Sequence, residues 1–255
     1  MRRAGYTLHP DVLMIVGIVP ARYSSVRFPG KPLAPLAGKP MLLHVLGAAR
    51  AARMLSRLAV ATDDERIAEV VRSAGGEAIL TSADAASGTD RLAEAARSIP
   101  ADIYVNIQGD EPMMSPRNID RAVEALLDGP ERRIATLAIP MPAGEASDPN
   151  VVKVAVARDG RALYFSRAPI PFPRGSAPAY RKHLGLYAYR AETLMRLAAL
   201  PPSPLEKLES LEQLRWLEAG YDVWVAQAES DSIGVDTPED LAKVEELLAR
   251  KETVS

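Results

Sequence analysis

Residues 15–40 read IVGIVPARYSSVRFPGKPLAPLAGKP, and this stretch decides the fold. It grows out of an apolar run, Val12 to Val19, which is short, β-branched and followed by Pro20. That pattern reads as a buried strand stopped by the proline. A loop with four cations follows, Arg22, Arg27, Lys31 and Lys39, punctuated by Pro29, Gly30, Pro32, Pro35, Gly38 and Pro40. Each proline ring fixes φ and stiffens the loop, and each glycine lets backbone N–H groups come close to a ligand. A rigid cationic loop leaving the C-terminal end of a central strand is where α/β proteins hold phosphate-bearing ligands. Neither a P-loop signature nor GxGxxG is present, so charge alone leaves an ordinary solvated basic loop equally open.

Working outward, the chain has 255 residues, 47% apolar and 25% charged, enough for one full core. Its formal net charge is −2 and its pI about 6.0, so no global field points to nucleic acid or to an anionic membrane, and any anion site is local. The three phenylalanines also argue against a nucleic-acid surface. The absence of cysteine excludes disulfides, thiolate zinc sites and cysteine nucleophiles, and fits a reducing compartment. No apolar run approaches the roughly 18 residues of a membrane span. Residues 1–11 lack the small-residue cleavage pattern of a signal peptide and read as a loose tail.

The order of elements is α/β. Helical spacing covers Met41–Met54; Arg57–Thr62 reads as a strand, and Thr62 or Asp64 as the cap of a helix Glu65–Ser73 stopped by Gly75-Gly76. A strand Glu77–Leu80, a helix from about Asp90 to Arg97, a strand Asp102–Ile107 and a helix Pro116–Leu127 follow. Repeated β–α units imply a parallel sheet. The grammar then changes: strands at Ile134–Ile139 and Val151–Ala157, a turn at Arg158-Asp159-Gly160, a returning strand Ala162–Ser166, a proline-rich loop to Pro178 and a strand His183–Tyr189. Helices around Glu192–Ala199 and Leu205–Ala219, a strand Tyr221–Gln227 and a helix Thr237–Arg250 close the chain. The expected organisation is a tail (1–11) and one domain (12–250). Within it, 12–130 is a nucleotide-binding half, about 131–190 a β-rich lobe for the acceptor and for dimerisation, and 191–250 a return to the core. The leucines of 205–217 suit either core or an oligomer interface.

Asp110 follows a strand directly, in a turn made by Gly109, and Asp236 stands between Val235 and the cap of the last helix. A carboxylate at the sheet edge that also carries the cationic loop suits a hard divalent cation bridging to phosphates; a turn aspartate or helix cap is the alternative for each taken singly. Two such carboxylates with a cationic loop are the parts of metal-assisted phosphoryl or nucleotidyl transfer. Ser87-Gly88-Thr89-Asp90-Arg91 is a small-residue loop opening a helix, suited to hydrogen bonds with a base or an acid. Arg167 and His183 suit a carboxylate or hydroxyl of a second substrate, or are a solvated loop cation and a strand-end polar residue. The three histidines are too scattered for zinc.

IVPARYSSVRFPGKPLAPLAGKPM, VATDDERI, SGTDRLAEA, VNIQGDEPMM, ALYFSRAPIPF, HLGLYAYR, LESLEQLRWLEAG and GVDTPEDL together resemble the 3-deoxy-manno-octulosonate (KDO) cytidylyltransferase family, the CMP-KDO synthetases of lipopolysaccharide biosynthesis. The likeness runs from residue 18 to about 242. It implies a nucleotide-diphospho-sugar transferase-like fold, with a mostly parallel central sheet flanked by helices and a smaller β-rich lobe. It further implies a Mg²⁺-dependent reaction of CTP with KDO in a cytoplasmic homodimer. By the family pattern the catalytic set is Arg22 and Lys31 on the triphosphate with Asp110 and Asp236 as Mg²⁺ ligands. Ser87 and Gln108 would lie by the nucleotide or the sugar, and Arg27, Arg91, Arg167, His183, Tyr187, Glu212 and Gln213 would line the sugar pocket. The chain departs from the pattern at Ala85-Ala86, where members often carry a histidine, and in the length of residues 1–11. An enzyme for another acidic sugar, 8-amino-KDO or sialic acid, would share the phosphate apparatus and differ in the sugar pocket.

Overall fold

The computed structural model describes residues 13–24, 27–85, 87–175 and 179–254, with side chains as far as 250. The tail 1–11, Ala86 and the last residues of the proline-rich loop lie outside the described residues. In chain order the elements are β1 (Ile15–Ala21), the short strands β2 (Pro35–Leu36) and β3 (Lys39–Pro40), α1 (Met41–Arg50), β4 (Arg57–Thr62), α2 (Glu65–Ser73), β5 (Glu77–Leu80), α3 (Gly88–Ala96) and β6 (Ile103–Asn106). Then come α4 (Pro116–Leu127), β7 (Ile134–Pro140), β8 (Lys153–Val156), β9 (Ala162–Ser166), β10 (Arg181–Arg190), α5 (Ala191–Ala198), α6 (Pro204–Glu209), α7 (Gln213–Glu218), β11 (Trp224–Gln227) and α8 (Pro238–Val254).

The main sheet runs β11-β7-β10-β6-β1-β4-β5. It is parallel except for β10, which lies antiparallel between β6 and β7. Of the stretch expected as a lobe, β7 and β10 are members of this sheet, and only the hairpin β8–β9 stands off it, touching β10 through the pair Lys182–Lys153. Alternation along β1 explains the layers. Ile15, Val19 and Ala21 face a core built with α1, α2 and α4, and Val16 and Ile18 face one built with α3, α5 and α7. Full burial of each such aliphatic side chain contributes about 1.5–3 kcal/mol. A third cluster, Leu36, Met41, Val235 and Val244, fastens α8 to the β2–β3 hairpin.

Three expectations need correction. First, β1 does not stop at Pro20 but continues to Ala21. Its β6 neighbour ends opposite Ile18, and a strand with one side unpaired tolerates a residue without an N–H. Second, α1 ends at Arg50, not Met54. The backbone N–H groups of Arg53 and Met54 donate to the buried Asp120 carboxylate on α4, at 2.9 and 3.0 Å, which peels the chain off the helix. Third, 205–219 is two helices. Ser210 is in the left-handed region at φ 52, and the carbonyls of Glu209 and Ser210 accept from the Arg167 guanidinium instead of continuing a helical ladder.

Candidate active site

Three segments meet at the C-terminal edge of β1 and β6. The first is the loop after β1. Gly30 sits at φ +72, which favours glycine, and a Cβ there would crowd the Tyr23 phenol at 3.1–3.3 Å. Its turn aims Lys31 inward. The second is the turn after β6. A Cβ on Gly109 would come within 2.6 Å of the Pro20 carbonyl, so glycine lets this turn lie against the end of β1 and present Asp110 beside Lys31. The third is the approach to α8. Val235 N–H donates to the Asp110 carbonyl at 2.8 Å, and Asp240 accepts from the N–H groups of Asp236 and Thr237. Asp236 is thereby fixed facing the other two segments.

Lys31 Nζ binds Asp110 Oδ2 at 2.8 Å, the Val235 carbonyl at 2.7 Å and Asp236 Oδ1 at 3.3 Å, while Arg27 reaches Asp236 Oδ2 at 3.1 Å. The lysine side chain is 13% exposed but the two carboxylates are 35% and 48% exposed, so both retain oxygen surface for a further cation. Among the described residues no group of three or more His, Cys, Asp or Glu side chains is placed to hold a metal. Two carboxylates are what Mg²⁺ takes from a protein when phosphates and waters complete its shell.

This junction divides two cavities. The smaller, about 420 Å³, is lined by Arg22, Arg27, Lys31, Ser87, Arg91, Gln108 and both aspartates. The larger, about 840 Å³, is lined by Gln108, His183, Tyr187, Glu212 and Gln213, with Arg27 and the same aspartates at the shared wall. Arg91, expected by the sugar, lines the smaller cavity. It is buried, held by Thr81 Oγ1 at 2.5 Å and Asp63 Oδ2 at 3.3 Å. Arg167, also expected there, lines neither cavity among the described residues. Its guanidinium donates to the carbonyls of Pro149, Glu209 and Ser210.

The two cavities differ in character. Ser87 caps α3, bonds Asp90 reciprocally and donates through Oγ to Glu212 Oε1 at 2.8 Å; Thr89 Oγ1 donates to Glu212 Oε2 at 2.7 Å. Burial raises the pKa of Glu212. Burial also takes His183 down to about 3, so its ring is neutral, 3.0 Å from Thr136 Oγ1 and edge-on to Phe165. Gln108 Nε2 donates to the Gly185 carbonyl at 2.7 Å. Alternation along β10 puts His183, Tyr187 and Tyr189 on one face, where the tyrosines stack and Trp216 meets both edge-on. The hydroxyls of Tyr187 and Tyr189, facing Thr136 and facing Asn106 and Thr89, stop short of normal hydrogen-bond geometry.

Residue reasoning missed Asn106, Glu111, Tyr189 and Trp216, all of which line the larger cavity. Burial chiefly, with the charge of Asp110, pushes Glu111 up to about 7. Tyr189 was within reach, standing two positions from Tyr187 on an alternating strand. Asn106 pairs with Tyr187 only through the register of β6 against β10, and nothing local distinguishes Glu111 from Asp110.

With the lysine–carboxylate junction and its two cavities in place, the comparisons with known proteins identify the family. The family model described as Cytidylyltransferase matches residues 16–228. A protein of Syntrophobacter fumaroxidans (strain DSM 10017 / MPOB), named 3-deoxy-manno-octulosonate cytidylyltransferase, is 57% identical over 245 residues, covering 93% of this chain and 98% of its own length. One of the same name from Acidobacterium capsulatum is 53% identical, covering 94% and 98%. A solved structure of CMP:2-keto-3-deoxy-manno-octonic acid synthetase complexed with CTP superposes with a TM-score of 0.90 at 45% identity, over 93% of this chain and 99% of that one. With this identity sustained over nearly the full length of both partners, the chain belongs to the 3-deoxy-manno-octulosonate cytidylyltransferase family.

Proposed function

We propose that the protein transfers CMP from CTP to the 2-hydroxyl of KDO, giving CMP-KDO, pyrophosphate and a proton for lipopolysaccharide synthesis. The observation that carries this is the convergence of Lys31, Asp110 and Asp236 where the two cavities meet. CTP occupies the cationic cavity, with Arg22 and Lys31 on its phosphates, and KDO the larger one. The sugar oxygen then attacks the α-phosphorus as the bond to the departing pyrophosphate breaks. Charge developing on that leaving group is offset by groups already in place, which is worth most in a partly dry site. Neutral His183 and the amides of Gln108 and Gln213 orient the acceptor by hydrogen bonding, and Glu212 is held still by Ser87 and Thr89.

Mg²⁺ fits the junction. All its donors are hard oxygens, and they already share one cation, Lys31. Asp110 and Asp236 would hold the ion, which supplies charge neutralisation on the triphosphate and acidifies a bound hydroxyl. We further assign the protein to the cytoplasm and to a homodimer. The absence of cysteine is consistent with the first, and exposed Leu163, Phe172 and Leu208 around the β8–β9 hairpin and α6 with the second. No described helix is long and apolar enough to cross a membrane.

The test is pyrophosphate release from purified protein with Mg²⁺ and CTP, adding KDO, 8-amino-KDO or sialic acid in turn. Release with KDO is expected. Release only with another acid would keep the chemistry and overturn the acceptor; no release from folded protein with any of them would overturn both.

A further inference from the structure

Lys153 opens β8 and is fully buried. Its ammonium uses its three donors on carbonyl oxygens: Asp148 at 2.9 Å, Val151 at 2.7 Å, and Arg167. Burial pulls its pKa below that of a free lysine. No carboxylate lies within ion-pair distance among the described residues. Beside it the Arg167 guanidinium takes the carbonyls of Pro149, Glu209 and Ser210. The Glu209 carboxylate completes the knot, accepting from Ser166 Oγ at 2.7 Å and from the backbone N–H of Arg167 at 2.9 Å.

Two cations thus draw together six carbonyls from three segments: 148–151, Arg167 and 209–210. Neither cation lines the larger cavity, but the segments they hold do: Val151 and Val152 stand on one wall, Glu212 and Gln213 on the other. Val152 also accepts from the backbone N–H of His183 at 2.8 Å, which links the first wall to β10. A buried lysine bonded only to backbone carbonyls is costly to place and contributes no side-chain chemistry to the cavity. What it does supply is a fixed separation between the two walls.

We propose that Lys153, with Arg167 and Glu209, is a positioning residue of the acceptor cavity, a buried clasp that sets the spacing between the 148–152 and 209–213 walls. The proposal rests on the reading of this cavity as the acidic-sugar site.

The test is Lys153→Met in the full chain, which keeps the aliphatic stem and removes the donors. The KM for KDO should rise about tenfold, while kcat and the KM for CTP stay within about twofold. A lower Tm with an unchanged KM for KDO, or equal losses for both substrates, would overturn the clasp. Should that variant fail to fold, Glu209→Ala must show the same split, and its absence there would overturn the proposal equally. The wild-type rate with KDO tests the acceptor reading by itself. If the wild type accepts no acid, hydrogen exchange of the same variant decides: joint loss of protection at 148–152 and 209–213 upholds the clasp, and loss at 148–152 alone overturns it.

Discussion

The two cavities meet at one pair of aspartates yet are built by opposite means. The smaller is held by charge: Arg27, Lys31, Asp110 and Asp236 are paired, with the carboxylates still partly exposed. The larger is held by burial: His183 is kept neutral, Glu212 is bonded to two hydroxyls, and tyrosines pack on Trp216. A triphosphate with its metal carries much charge and needs counter-charges that can rearrange as it arrives. A polyhydroxylated acid needs direction as well as a counter-charge: the fixed groups of the larger cavity would supply the first, and Arg27 and Lys182 on its lining the second.

That contrast can be broken most sharply at the junction. Asp236→Asn removes one carboxylate charge with little change in shape. Turnover should fall about 10²–10³-fold while CTP still binds; pyrophosphate release and a CTP titration read the two separately, and turnover within a few-fold of the parent sinks the metal role. Arg91→Leu tests whether this buried arginine serves structure. It strands the mostly buried Asp63 without its partner, so stability should drop by about 3 kcal/mol, read from the urea midpoint. An unchanged midpoint with a raised KM would make Arg91 a substrate contact instead.

The third expectation concerns pH. His183 titrates near 6.5 when unfolded and at about 3 when folded, so its contribution is complete above pH 6.5 and is lost as the pH falls toward 3. Glu111 runs the other way. Raised to about 7 from 4.5, it stabilises fully below pH 4.5, and this is lost as the pH rises through 7. His183→Gln should therefore gain on the parent by about 2 kcal/mol between pH 6.5 and 5, measured by urea unfolding at both values. No relative gain means that the imidazole is not held neutral. The smallest effect belongs to the exposed pair Arg27–Asp236. Arg27→Ala should change stability by less than about 1 kcal/mol; a larger fall in Tm would show that the charged cavity, too, is part of the framework.

Local physics made much of the fold legible. Helices α2 and α4 fall where periodicity, the cap Asp64 and the opening Pro116 place them, and the turn after β6 that carries Asp110 follows from an apolar run broken by glycine and proline. The two helix errors share a cause. Helix α1 ends early because Asp120, distant in sequence, takes two N–H groups, and 205–219 breaks because Arg167 takes two carbonyls. A backbone group with two competing partners yields to tertiary structure.

The same division runs through the site. Residue types and spacing alone determined that the chain has a cationic loop and two edge carboxylates, since these are consecutive in a strand–turn grammar. The resemblance carried by its motifs then supplied the nucleotide and the acid. Only the tertiary structure decided that Lys31 bridges both aspartates, that Arg91 and Arg167 are spent on Asp63 and on carbonyls, and that Asn106, Glu111, Tyr189 and Trp216 line the larger cavity. Which partner a charged side chain takes depends on what lies within about 3 Å of it after the sheet has closed, and that information is not local in the chain.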